Sequence, residues 1–481
     1  MKTKLTNTGI FIHEKEVIEI ELINAKNNYV RLFNYGAIIQ KFVVTNAKGQ
    51  QQDIVLGFDQ FEDYISPTYL KAYSYVGAVI GRYANRIKNG EFELEGTSYQ
   101  LAKNTGEDCL HGGLNGLDKK VWDVVEISEN PHASVIFQYF SMDGEEGFPG
   151  DLAIQLKFEL TNNDELILTY TADTDEATPI NLTHHSYFNL SENGETVANH
   201  IHQLNASNYL EQDDNSTVTG KLIAVEGTIH DFRKARKISD SWDEDNGYDQ
   251  TYVLDKTYGD LTLASKTTET KSGLSLLVYS TEPTVHFYTG KYLNVNNGKA
   301  GKTYKKFDGF CVETQHHPNA INIPSFPNTV LLPDEVYTQI TIYKVTINSC
   351  IMFTIEEIQA AEAKIKSGAD FPNFIQEIKA MGVIRNDIFV MNGMAVYYDN
   401  DDHTVQSAPA YEDLLIEQES NVEELKEALK VHQNGATDYQ TFCRQVANAG
   451  VEKWVTDLIA MSVTYLDAAG TEMVVEHIPE A

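Results

Sequence analysis

Residues Leu152–Leu160 read LAIQLKFEL. Leu152, Ile154, Leu156, Phe158 and Leu160 alternate with Ala153, Gln155, Lys157 and Glu159, a period of two that sends the large apolar side chains to one face of an extended chain and the polar ones to the other. This is the signature of a strand with one buried and one wet face. ELILTY, SVIFQYF, LSLLVYS and TVHFYT repeat the pattern, and EFELEGTSYQL folds back on itself at Glu95-Gly96-Thr97 as a hairpin. Long amphipathic helices do not alternate with these strands, so the pattern predicts antiparallel sheets packed into a large sandwich rather than a doubly wound α/β fold. The chain is therefore expected to be mainly β up to about Asn348.

After Ile351 the texture changes. FTIEEIQAAEAKIKSG opens with Thr354 and Glu357 at capping-box spacing, places Ile358, Ala361 and Ile365 on one side, and is expected to end at Gly368. A second helix is expected over 374–381, a hairpin through DIFVMNGMAVYYD, a helix capped by Ser420 with Glu423, another over 439–449, and a closing hairpin in MSVTYLDAAGTEMVVEHI. These elements predict a separate small α+β domain of on the order of 130 residues, a usual domain size. The expected boundaries are 1–348 for the β-sandwich and 352–481 for the α+β domain, with Met352 where a free-standing version could start.

Composition narrows the function. Among 481 residues, 70 acidic side chains against 37 basic ones give a formal net charge of −33. Such a surface repels phosphate backbones and anionic lipids, which argues against nucleic acid and membrane as partners. The four cysteines, Cys109, Cys311, Cys350 and Cys443, are widely spaced with no CxxC, which fits a reducing compartment better than a disulfide framework or a zinc knuckle. The N-terminal stretch lacks the apolar run of a signal peptide, and no segment reaches the length of a membrane span. A cytoplasmic protein is the expectation.

Polar residues gather in five segments of otherwise strand-like sequence: GRYANRIKNG (81–90), CLHGGLNGLD (109–118), NLTHHSYFNL (181–190), NGYDQTYVL (246–254) and FCVETQHHPNAINIPSFPNTVL (310–331). Individually each reads as turn formers or satisfied polar groups at sheet edges. Five together are harder to dismiss, and the pair His184-His185 can signal proton chemistry, a metal site or only a polar strand end.

The order and wording of these segments resemble the galactose mutarotases, or aldose 1-epimerases, over nearly all of residues 1–346. The resemblance is carried by Asn85-Arg86-Ile87, Leu110-His111-Gly112-Gly113, the run from His185 through Tyr187 to Leu190, Gly247-Tyr248-Asp249, Phe287-Tyr288-Thr289-Gly290, and Glu313-Thr314-Gln315 leading to Phe326-Pro327. It implies a mutarotase-like supersandwich whose groove binds a hexose such as galactose or glucose and interconverts its α and β anomers. It further implies that Glu313 is the general base, that His185 is the general acid toward the ring oxygen, and that Asn85, Arg86, His111, Tyr187 and Asp249 hold the sugar. Neither metal nor organic cofactor is implied. Glu282 stands where the resemblance suggests a glutamine, so a carboxylate is expected among the sugar-binding groups. Gln250, where the family frequently has histidine, reads as a change behind the site.

Other readings are weighed on the same residues. A metal hydrolase lacks its motif, because the pairs His184-His185 and His316-His317 do not have HExxH spacing. A glycosidase would need two carboxylates, for which Asp249 and Glu313 are the candidates. A non-catalytic hexose-binding or sensor module is the alternative from another class. His184 is expected to face away from His185, and His316-His317 to be structural. The C-terminal part resembles a small bacterial family of unknown function. It offers no catalytic constellation, its acidic loop at His403 reads as solvated, Cys443 reads as packing, and a surface for a protein partner is one role left to it.

Overall fold

The computed structural model describes residues 1–347, 353–364, 371–399 and 404–479. The expectations placed on Cys350, Met352, Ile365, Gly368 and His403 fall outside the described residues. The chain divides into two compact units, Met1–Asn348 and Ser349–Ala481.

The first unit is built of antiparallel sheets. Its largest has nine strands, with Leu152–Leu160 between Ala133–Ser141 and Glu165–Thr174, the latter pairing in turn with Tyr337–Ile347. The alternation in LAIQLKFEL is realised as expected: Leu152, Ile154, Leu156, Phe158 and Leu160 are all fully buried, whereas Gln155 is exposed. They pack with Phe137, Leu168 and Tyr170 in a core of strand residues drawn from the whole unit. Each such side chain contributes roughly 1.5–3 kcal/mol by leaving water, so one face of one strand is a substantial stabilising element. A five-stranded meander from Lys2–Ile12 to Gln51–Asp53 adds a second sheet, and Glu91–Leu94 pairs with Thr97–Gln100 in the expected hairpin.

A further five-stranded sheet positions the site. Its order is Val218–Ala224, Asn208–Gln212, Asp249–Val253, Thr284–Tyr288 and Cys311–Gln315. In the last three strands one face carries Phe287 and Val312 into the main core, and the other face presents polar side chains.

The second unit has a six-stranded antiparallel sheet, Arg385–Phe389 and Val451–Asp457 at its centre, with helices Ile355–Glu362, Phe371–Ala380, Val422–Gln433 and Tyr439–Asn448. The capping box forms: the Thr354 hydroxyl accepts from the Glu357 N–H at 3.2 Å and the Glu357 carboxylate from the Thr354 N–H at 2.8 Å. Two expectations are corrected. The second helix starts at Phe371 rather than 374, because Pro372 is tolerated in a first turn, where no N–H is needed. The third helix is capped by Asn421, whose side chain accepts from the Glu424 N–H at 3.2 Å, while Ser420 bonds Asp467 at 2.9 Å. Cys443 is fully buried in the core of this unit. Among the described residues no helix is long and apolar enough to cross a membrane.

Candidate active site

Three neighbouring strands bring the charged groups together by register. Asp249 pairs with Tyr288 and Tyr288 with Cys311; two residues along, Thr251 pairs with His286 and His286 with Glu313. Because side chains two apart share a face, Asp249, Thr251, His286, Tyr288, Cys311 and Glu313 form two adjacent rows on one surface. Gln250 points to the opposite surface, where its amide bonds the carbonyl of Leu210.

His185 arrives from another element. Thr183–His184 pairs with Val79–Ile80, and the His185 backbone is then fixed at both ends: its N–H donates to Ala78 at 2.9 Å and its carbonyl accepts from Gly77 at 3.0 Å. His184 turns the other way, as expected, with Nε2 donating to the Ala37 carbonyl at 3.2 Å and Nδ1 3.0 Å from the Ser186 hydroxyl. Burial pushes its imidazole down to about 3, which keeps it neutral. His185 instead faces Glu313, with Nε2 3.6 Å from Oε1. Its Nδ1 lies 3.5 Å from the Cys311 thiol, which burial holds well above its usual range and therefore protonated.

A loop supplies the third side. Asn85 and His111 both adopt left-handed backbone, with φ of 60° and 52°. The Asn85 N–H donates to His111 Nδ1 at 3.2 Å, and the His111 N–H donates back to the Asn85 carbonyl at 2.9 Å. The next residue must be glycine, since a Cβ at Gly112 would lie 2.0 Å from the Gly81 oxygen. Burial, followed by the charges of His185, Arg86 and His286, holds the His111 ring well below the usual histidine range. His111 is thus neutral, and with Nδ1 accepting, Nε2 carries the hydrogen and can only donate.

These groups surround a cavity of about 430 Å³, within the range of small-molecule sites. Asn85, Arg86, His111, His185, Tyr187, Asp249 and Glu313 all line it. Aromatic rings complete the wall: Tyr75 stacks on His185 at 5.8 Å and meets His111 edge-on at 4.7 Å, and Tyr187 lies 5.0 Å from His185. Burial would raise the Asp249 carboxyl, but its hydrogen bond from His286 and the charges of His286, Lys291 and Arg86 prevail and hold it well below the usual range.

One expectation fails. Glu282 does not line the cavity; it is 1% exposed, and its carboxylate meets Nδ1 of His316, whose Nε2 lies 2.7 Å from the Tyr258 hydroxyl. It precedes the strand Thr284–Tyr288 and sits about 13 Å of extended chain away from the cavity-lining end of that strand's polar row. The residue that the reading of TVHFYT passed over is His286. Its alternation with Val285 and Phe287 marks it as facing away from the core, but only the cross-strand register places it beside Glu313.

Ligand nitrogens of His111 and His185 and an oxygen of Glu313 lie within 4.8 Å of one another, a spacing that could hold a metal ion. His111 is ill suited as a ligand: one ring nitrogen accepts from Asn85 and the other carries the hydrogen.

An imidazole facing a carboxylate, in an aromatic-walled pocket on antiparallel sheets, is a site arranged for proton transfer on a β-sheet domain. The profile of the family described as Aldose 1-epimerase matches residues 19–344. The chain belongs to that family. It is 38% identical to the galactose mutarotase of Bos taurus over 322 residues, 66% of this chain and 91% of that protein. Against the aldose 1-epimerase of Escherichia coli K12 the identity is 32% over 334 residues, 67% and 94% of the two chains. The solved structure of a GalM/aldose epimerase homologue from C. elegans superposes with a TM-score of 0.64 at 31% identity, covering 69% of this chain and 99% of that one. A galactose 1-epimerase structure from Lactobacillus acidophilus gives 0.63 at 28%, covering 72% and 99%. Residues 359–477 match a family described as a protein of unknown function, DUF1398.

Proposed function

We propose that residues 1–348 form an aldose 1-epimerase domain that interconverts the anomers of a hexose such as galactose or glucose, with Glu313 as base and His185 as acid. The observation that carries this reading is the pair itself: His185 Nε2 stands 3.6 Å from Glu313 Oε1, and Glu313 Oε2 is buried with no hydrogen-bond partner among the described residues. An unpaired buried carboxylate oxygen is costly unless a ligand hydroxyl satisfies it.

The proton balance closes. Glu313 takes the proton of the anomeric hydroxyl, the O1 electrons form the C1=O1 double bond, the C1–O5 bond breaks, and protonated His185 delivers its proton to O5. The aldehyde turns about C1–C2 and recloses by the reverse transfers, leaving both groups as they began. Each general acid or base contributes typically 10²–10⁴-fold in rate. Asn85 and Arg86 would hold hydroxyls, His111 would donate through Nε2 and ionised Asp249 would accept, which fixes the ring for both directions. In a glycosidase pair Asp249, held well below the usual range, could be only the ionised member and not the acid.

We read residues 352–481 as an accessory domain, and a reducing compartment such as the cytoplasm suits Cys109, Cys311 and Cys443, which are free and buried. The test is polarimetry on freshly dissolved α-galactose and α-glucose. Acceleration of anomerisation is expected. Sugar binding without acceleration would replace the reading with a sensor, and a new reducing end released from a glycoside would replace it with a hydrolase.

A further inference from the structure

We infer that His286 is a positioning residue that orients the Asp249 carboxylate, so that one of its oxygens is committed to the protein and the other is presented to a sugar hydroxyl. This rests on the hexose-binding reading above and adds a residue to it.

The geometry is specific. The His286 ring is 4% exposed and lines the cavity. Nε2 lies 2.9 Å from Asp249 Oδ1, and Nδ1 lies 2.8 Å from the hydroxyl of fully buried Thr251. An ionised carboxylate only accepts, so Nε2 carries a hydrogen toward it, and the Thr251 hydroxyl, which can donate or accept, engages Nδ1 and holds the ring in place. With Oδ1 taken by His286, Oδ2 pairs with Lys291 Nζ at 3.4 Å and keeps acceptor capacity for a ligand in the cavity that Asp249 lines. The titratable or charged groups around His286 are Asp249 and Glu313 on the flanking strands, with His111, Arg86 and Lys291 nearby.

Losing His286 should therefore affect binding more than chemistry. His286→Leu removes both ring hydrogen bonds, and KM for galactose should rise roughly 10-fold, the worth of a hydrogen bond to a charged group, while kcat changes little. It also removes the largest of the interactions that hold Asp249 down against burial, Lys291 and Arg86 remaining, so the acid side of kcat/KM should move to higher pH. His286→Gln keeps an N–H for Asp249 and should restore most of KM and the acid side, which mere packing would not predict. Thr251→Val, which frees the ring at its other end, should move KM in the same direction by less and serves if the leucine variant does not fold.

A leucine variant with unchanged KM and acid side would overturn the proposal, as would a glutamine variant no better than leucine, or a loss confined to kcat. Calorimetric titration of galactose is run in parallel: if the unaltered chain binds galactose without epimerising it, the catalytic reading fails. The Kd shift in His286→Leu and its recovery in His286→Gln still decide the positioning role.

Discussion

His185 Nε2 faces Glu313 Oε1 at 3.6 Å, slightly beyond a hydrogen bond, with both side chains almost fully buried. The two groups are held by different elements, a strand-end turn and a sheet strand, so neither depends on the other for its place. Glu313→Gln, which preserves shape but cannot accept a proton, should lower kcat at least 10²-fold with little change in stability. His185→Asn should do the same. Polarimetric rates beside thermal melting curves check both, and an active Glu313→Gln variant would remove that carboxylate from the chemistry.

His111 is a donor by construction, because the Asn85 N–H occupies Nδ1 and the ring stays neutral. His111→Gln, which keeps an N–H, should retain more activity than His111→Glu, and by at least 10-fold, since an ionised acceptor there would repel the oxygen it should bind. Since His111 does not titrate in the working range, His111→Gln should leave both limbs of the pH–rate profile where they are. A displaced limb would show that His111 carries a transferable proton.

The sandwich was legible because a strand with one wet face records its geometry in its own residues, as Leu152–Leu160 does. The pairing of His185 with Glu313 was legible only through the resemblance, since nothing local says that the two meet. His286 was missed because alternation tells which side of a strand it occupies but not what lies there; that depends on its register with Asp249–Val253 and Cys311–Gln315. Glu282 was misplaced for the converse reason: its partner His316 lies beyond the next strand and removes it from the cavity. Ser420 and Asn421 are both capping residues, and the contact of Ser420 with Asp467 decides between them.

Glu282 and His316 therefore predict a stability effect without a binding effect. Glu282→Ala leaves His316 Nδ1 buried with no group facing it, which costs about 1–3 kcal/mol for an unsatisfied buried polar atom. Urea unfolding should show that loss, whereas KM for galactose should stay within about twofold, in contrast to His286→Leu. A raised KM with unchanged stability would return Glu282 to the sugar site.

Residues 1–348 should retain the epimerase activity of the full chain. Among the described residues the buried side chains of the main core run no further than Val345 and those of the C-terminal core begin at Phe353, so the two cores draw on separate segments. The shortened protein should anomerise hexoses with kcat/KM within a factor of about three, since among the described residues none beyond Glu313 lines the cavity. A tenfold drop with intact folding would assign residues 352–481 a part in the reaction.

Asp118 gives stability a pH dependence. It is fully buried; among the described residues neither carboxylate oxygen has a hydrogen-bond partner, and Lys119 Nζ stands 3.6 Å from Oδ2. Burial raises its carboxyl to about 6, with Lys119 and Tyr73 opposing the shift only in part. For an acid raised in the folded state the favourable contribution is complete below the unfolded value of about 3.9, declines as pH rises through 6, and leaves a constant penalty above that, of roughly 3 kcal/mol. Asp118→Asn, neutral at every pH, should therefore match the unaltered protein near pH 4 and exceed it by up to that amount at pH 7.5. Urea titrations of both proteins at pH 4, 5, 6 and 7.5 measure the difference. A gap that stays constant across that window would show that Asp118 does not change its charge there.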